Sequence, residues 1–163
     1  MKKSFYLAFI AIFSILTSCS SSDNTAYKDL KFGMTLEEVK AKGYCYDEKS
    51  ISEEGMDTYQ CKYSDYADIH YDKAELSFRN NKLAKVLFHI SPADATKQKE
   101  ISNKVHDYLT SKYGPSKDAG KCYGWKDEKR TFLHYVHIDI DENYKSSYVN
   151  ELAICSNDYY KEK

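Results

Sequence analysis

The side chains whose chemistry asks to be read first are four cysteines, Cys45, Cys61, Cys122 and Cys155, and five histidines, His70, His89, His106, His134 and His137. No two of these cysteines stand in a C-x₂-C spacing, so a zinc site is not expected. An even set of cysteines outside the cytoplasm is read more simply as two disulfides. Three pairings are possible; Cys45–Cys61 with Cys122–Cys155 is preferred because each bridge then lies within one half of the chain. Each bridge would contribute about 3 kcal/mol by restricting the unfolded chain. A reactive thiol needs a lowered pKa and access, and pairable structural cysteines offer neither. His134 and His137 are three apart on an expected strand, so they point to opposite faces and cannot chelate one metal together. His134, on the apolar face, is expected to be a hydrogen-bonded core or edge residue.

Other chemistry is sparse. There is no glycine-rich phosphate loop and no G-x-S-x-G nucleophile elbow. Asp139-Ile140-Asp141-Glu142-Asn143 is similar to the start of an EF-hand loop. However, Tyr144 stands where that loop needs glycine, and Asn150 where it needs a bidentate glutamate. A polar turn closing a hairpin is the expectation. Carboxylate pairs for glycoside hydrolysis are assembled in space, and nothing in the sequence singles one out. The sequence therefore predicts no catalytic residue, no metal and no cofactor, and the chain is expected not to be an enzyme.

The elements that must position these residues begin after a distinct N-terminal segment. Met1-Lys2-Lys3 is positive and Phe5–Leu16 is apolar except for Ser14. That length suits the core of a secretory signal and falls short of the roughly 20 residues a spanning helix needs. Leu16-Thr17-Ser18-Cys19 resembles the lipobox of bacterial lipoproteins. The resemblance implies cleavage before Cys19 and acylation of its thiol and new amino group, a palmitate-type modification. Two or three acyl chains make a stable anchor where one is marginal. Ser20, in place of an inner-membrane-retaining Asp, favours the outer membrane. The implied localisation is the cell envelope, lipid-anchored, on the periplasmic side or the cell surface.

Losing residues 1–18, with Lys2 and Lys3, moves the formal charge from −1 to −3. That balance gives no footing for nucleic-acid binding, which wants a basic surface. The 16 tyrosines suit strands and half-wet surfaces, and point to a sheet-rich extracytoplasmic domain.

Along the remaining chain, residues 19–28 read as a flexible tether and 29–163 as one α+β domain. Thr35 and Glu38 form a capping box for a short helix over Leu36–Lys42, stapled by Met34 and Val39 and ended at Gly43. Strand signals follow at Thr58–Tyr63 and Asp68–Phe78, where the apolar parity changes near Asp72-Lys73. Arg79-Asn80-Asn81-Lys82 reads as a tight turn into the strand Leu83–Ile90. Ile101, Val105, Tyr108 and Leu109 form one helical stripe that ends at Gly114-Pro115. Strands are then expected at Lys121–Lys126, Arg130–Ile140 and Ser147–Ser156. Phe132, His134, Val136, Ile138 and Ile140 share one face of the middle strand. Leu133, Tyr135 and His137 fall on the other.

The opening Leu30-Lys31-Phe32-Gly33-Met34-Thr35-Leu36-Glu37-Glu38-Val39 is similar to that of outer-membrane-assembly (SmpA/OmlA-type) lipoproteins and of the β-lactamase-inhibitor-protein-like fold. The resemblance implies two helix-plus-antiparallel-sheet units, here roughly 29–92 and 93–160, and a non-catalytic, protein-binding role. If helices cover one face of the sheet, Leu133, Tyr135 and His137 would meet a partner on the other. The expected partners are the membrane, through the lipid anchor, and another envelope or extracellular protein. A small-ligand or glycan binder using the tyrosines is the first alternative, and a hydrolase the second.

Overall fold

Alternation of apolar and polar residues governs most of the chain, and strands follow from it. The computed structural model describes residues 23–51, 55–118, 120–140 and 145–160. The expected signal segment 1–18, Cys19 and the tether through residue 22 lie outside the described residues, as do Asp141 to Tyr144 of the acidic turn. Order has already begun at Thr25, inside the stretch read as tether.

Two short strands, β1 (Thr25–Tyr27) and β2 (Leu30–Lys31), pair with each other and lead into α1 (Leu36–Ala41). Next come β3 (Cys45–Ile51), β4 (Asp57–Cys61), the small ribbon β5 (Asp65–Tyr66) and β6 (Ile69–His70), and the hairpin β7 (Lys73–Arg79) and β8 (Lys82–Ile90). The ribbon's exit at Tyr71–Asp72 is where the apolar parity changes. Asn80 and Asn81 turn the hairpin with φ of 50° and 59°, a left-handed conformation that asparagine tolerates. The second half adds α2 (Ala95–Tyr113), β9 (Lys117–Asp118), β10 (Cys122–Lys126), β11 (Arg130–Ile140), β12 (Ser146–Ser156) and a final 3-10 turn over Asn157–Tyr160.

These strands overturn the expectation of two helix-plus-sheet units. Eight of them form one antiparallel sheet in the order β3-β4-β7-β8-β12-β11-β10-β9. The halves fuse through β8 and β12, which pair from Lys85↔Cys155 to Ile90↔Asn150. At six residues α1 is too short to cover half a sheet, and α2, at 19 residues, is the one long helix among the described residues. The main apolar core therefore spans both halves, joining Val39, Leu76 and Phe88 to Leu109, Phe132 and Leu152, and a smaller buried cluster of Met56, Ala84, Ala153, Cys155 and Tyr159 lies apart from it. Phe88 lies at its centre, with the rings of Tyr27, Tyr71 and Tyr66 at 5.0, 5.2 and 5.4 Å.

Both helices lie on the same side of the sheet. The capping box at Thr35 is formed in full: its Oγ1 accepts from Glu38 N, and its own N–H donates to Glu38 Oε2. Val39 and Met34 then pack into the core. On α2, Ile101, Val105 and Leu109 are buried, as the stripe requires.

A buried polar seam runs beneath the start of α2. His134 is fully buried and its Nε2 lies 3.1 Å from Asn150 Oδ1. Asn150 Nδ2 donates to the Gln98 carbonyl at 3.4 Å, so its oxygen faces His134 and the imidazole proton is assigned to Nε2. Burial pushes this imidazole's pKa down to about 4. An unfolded histidine titrates near pH 6.5, so below that pH the unfolded chain binds the proton first. The stability that neutral His134 contributes is complete above about pH 6.5 and is lost as pH falls toward about 4, up to roughly 3 kcal/mol. Denaturant titrations at about pH 7 and about pH 4.5 should show a smaller stability loss for His134→Gln than for the unsubstituted chain. Equal losses would show that the imidazole is not held neutral by burial.

Candidate functional site

With both helices on one side, the sheet's other face is covered, among the described residues, by Met56 and the Asn157–Tyr160 turn at one end, and register decides what the rest presents. Three cross-strand ladders cross it. The central one is Glu75, Leu87, Ala153, Leu133 and Gly124, each opposite the next. On one side runs Lys73, His89, Glu151, Tyr135 and Cys122; on the other, Ser77, Lys85, Cys155, Thr131 and Lys126. An aliphatic stripe of Leu87, Ala153 and Leu133 is thus bordered on one side by the polar row of Lys73, His89 and Glu151; Leu87 and Leu133 are half-buried, while Ala153, and Cys155 and Ser77 of the other row, are buried. Side chains opposite each other in neighbouring strands are about 5 Å apart, so each ladder is continuous.

Local contacts fix both borders. His89 Nδ1 lies 3.1 Å from Glu151 Oε1, while its Nε2 is 3.1 Å from Ser91 Oγ. Burial and the neighbouring Cys122 thiol push the Tyr135 hydroxyl up to about 12, so it stays protonated. The far end of the stripe closes where Met56, Cys155 and Tyr159 pack with Ala153 and Leu133. There the Arg79 guanidinium stacks over the Tyr159 ring at 4.8 Å and donates to the Tyr159 carbonyl at 2.8 Å.

Of the residues expected to bind a partner, Leu133 and Tyr135 lie half-buried on this face. His137 shares their parity but sits further out, exposed, with Nε2 3.2 Å from Asp139 Oδ1. Sequence reasoning missed Leu87, His89 and Glu151. His89 and Glu151 are 62 residues apart, and no local signal announces that β8 will lie beside β12. Ile138 and Ile140, read as part of the apolar core face, are 54% and 66% exposed, because α2 does not reach that far along β11.

Two concavities lie among the described residues. An open cleft of about 400 Å³ at one end of the sheet is lined by Arg79, Lys82, Lys129, Glu128, Asp158 and Tyr159 among others. It gathers one tyrosine rather than many. Both its carboxylates are exposed, whereas a glycosidase acid is normally desolvated. A smaller hollow of about 210 Å³ is lined by Asp118, Cys122, Tyr123, His134 and Val136. Among the described residues, no group of three or more His, Cys, Asp or Glu side chains is placed to hold a metal ion.

The four cysteines are thiols here, and register separates the expected bridges. Cys122 opposes Tyr135 of β11, and Cys155 opposes Thr131 on that strand's other side. Two strand spacings and four residues of offset put them roughly 16 Å apart, far beyond the ~7 Å Cα limit for a disulfide. The expected Cys122–Cys155 bridge is therefore corrected. Cys45 and Cys61, by contrast, are direct partners across β3 and β4. Lys62 N–H donates to the Tyr44 carbonyl at 2.7 Å, which makes the adjacent Cys45/Cys61 pair a non-hydrogen-bonded one. Such pairs stand about 4.5 Å apart at Cα, within disulfide reach. Burial raises both thiol pKa values, which slows their oxidation. Oxidation followed by non-reducing peptide mapping should yield a Cys45–Cys61 peptide, with Cys122 and Cys155 still alkylatable. A Cys122–Cys155 peptide would contradict the register of β10, β11 and β12.

No curated protein and no solved structure matches the chain. A protein family described as "Uncharacterised protein" matches residues 27–150, a span that runs from the end of β1 into β12. That span is more than half of the 163 residues, and the chain belongs to this family.

Proposed function

We propose that this chain is a lipid-anchored cell-envelope protein that binds another envelope or extracellular protein across the open face of its sheet. The observation that carries this reading is the half-buried Leu87, Leu133 and Tyr135 beside the polar row of Lys73, His89 and Glu151. An apolar centre with a polar rim is the usual anatomy of a protein interface, and half-buried tyrosine is a frequent anchor within one. The expected lipid on Cys19 supplies the localisation, and the sheet supplies the contact. The chemistry asked of the face is complementarity alone, so no catalytic residue is assigned.

The test separates anchoring from binding. Cys19→Ala should abolish incorporation of a clickable fatty acid, and equal labelling of variant and unsubstituted chain would refute the anchor. Tyr135→Ala should cost less than about 1 kcal/mol, because the ring is only half-buried, against about 3–5 kcal/mol for the core substitution Phe132→Ala. Leu133→Asp and Tyr135→Ala should both lose the partner captured by crosslinking in the native envelope. Capture that survives both substitutions in folded protein would sink the binding role of this face.

A further inference from the structure

Three cations gather at one end of the sheet with no ion-pair partner among the described residues: Arg79, Lys82 and Lys129. Elsewhere lysines are paired, Lys40 with Asp47, Lys42 with Asp29 and Lys49 with Asp57. Arg79 and Lys82 stand directly opposite each other across the Asn80-Asn81 turn, an arrangement in which like charges repel. Arg79 is held in that place by the ring and the carbonyl of Tyr159. Lys129 arrives from the turn between β10 and β11. Asn157 fixes that turn, with its N–H donating to the Lys129 carbonyl at 2.9 Å and its Nδ2 to the Asp127 carbonyl at 2.9 Å.

All three cations line the open cleft of about 400 Å³, together with Asn80 and the exposed carboxylates of Glu128 and Asp158. Three cations against two carboxylates leave the cleft one net positive charge, in a chain that carries −3 without residues 1–18. Lysine, arginine and asparagine side chains are the donors that phosphate oxygens accept from. One net charge suits a singly charged phosphodiester better than a polyanion.

The position of the cleft along the chain points to the source of that phosphate. Asn24 lines it, with Nδ2 donating to the Phe32 carbonyl at 2.9 Å and its own carbonyl accepting from Phe32 N–H at 3.1 Å. Asp23, next to it, is ion-paired with Arg130. Cys19 is five residues before Asn24, and five residues span at most about 18 Å. With a lipid on Cys19, Asn24 can lie no further than that from the acylated residue. Anionic lipids attract basic groups over about one Debye length, roughly 8 Å at physiological ionic strength.

We propose that this cleft binds the phosphate of an anionic phospholipid headgroup in the membrane that holds the chain, through Lys82, Lys129 and Arg79. The inference rests on the lipid anchor at Cys19 and is separate from the partner-binding face. The two lysines meet the phosphate oxygens, and Arg79, already braced by Tyr159, adds a positive charge of fixed position. Acyl chains on a tether leave a domain free to turn; a headgroup held in the cleft gives it one orientation on the bilayer.

The full chain, purified in dodecyl maltoside, can be followed by amide NMR while lipid is mixed into the micelles. Phosphatidylglycerol should move the amides of Lys82, Lys129 and Asn157 to saturation. Phosphatidylcholine, whose phosphate is balanced by its choline, should move them several-fold less at equal concentration, and inorganic phosphate no more than that. Lys82→Gln combined with Lys129→Gln should weaken the phosphatidylglycerol response several-fold and leave the rest of the spectrum in place. Lys99→Gln, at an exposed position of α2 outside the cleft, should leave the response intact. Cleft amides unmoved by phosphatidylglycerol, moved as far by phosphatidylcholine, or still responding in the double variant would each overturn the proposal. Inorganic phosphate acting as strongly as the lipid would overturn the headgroup as ligand. A loss from Lys99→Gln as large as from the pair would show diffuse attraction and overturn the site. Fatty-acid labelling at Cys19 reads the anchor separately: an acylated chain with a silent cleft fails this proposal alone, and an unlabelled chain with a responding cleft fails the anchor alone.

Discussion

The pairing of β8 with β12 is the contact on which the rest of this structure depends. Six consecutive residue pairs, Lys85↔Cys155 to Ile90↔Asn150, join a four-stranded half to a four-stranded half. A strand's side chains alternate with a period of two, so a slip of one residue would turn Phe88, Leu152 and Ile154 out of the core and bring charged groups into it. Phe88 and Leu152 are opposite each other and both fully buried. Their removal from water holds the register, and the register in turn aligns all the ladders of the open face.

An unequal covering of the sheet follows from where the helices can go. The apolar sides of α1 and α2 are satisfied by one face, and the 3-10 turn at Asn157–Tyr160 brings Tyr159 over one end of the other. The face opposite the helices places Lys73, His89 and Glu151 in one row and Lys85 and Lys126 in another, with aliphatic side chains between them. The same division explains why a histidine can be buried beneath α2. His134, Asn150 and Gln98 exchange hydrogen bonds where the helix start meets the sheet, and neutral imidazole is the form that site accepts.

Beyond Tyr135 and Asn150, β11 and β12 pair with no further strand among the described residues and form an arm. Gln98, from the first turns of α2, ties its base through the His137 and Val149 carbonyls, so the arm leaves the sheet at a fixed position. Beyond that point the apolar alternation of β11 continues while the core does not. The open face and the arm edge are therefore two different kinds of surface. One offers side chains in a fixed pattern, and the other offers backbone hydrogen bonds with only a short run of side chains.

The sequence by itself determined whatever depends on neighbours a few residues apart. The capping box at Thr35 and Glu38, the stripe of Ile101, Val105 and Leu109, the Asn80-Asn81 turn and the alternation of Phe132 and His134 with Leu133 and Tyr135 are all local, and each is present. The α+β reading with two separate units failed, because local signals locate strands without saying which will pair. Only the tertiary structure decided that β8 joins β12, that His89 meets Glu151, and that Cys122 and Cys155 sit on opposite flanks of β11. It also decided that Ile138 and Ile140 are exposed, since alternation assigns a residue to a face but not to a covering. The physical reason is the same throughout. Hydrogen bonding along a strand is indifferent to its partner's identity, so partner choice is made by the apolar area that whole strands bury together, a quantity that no short segment contains.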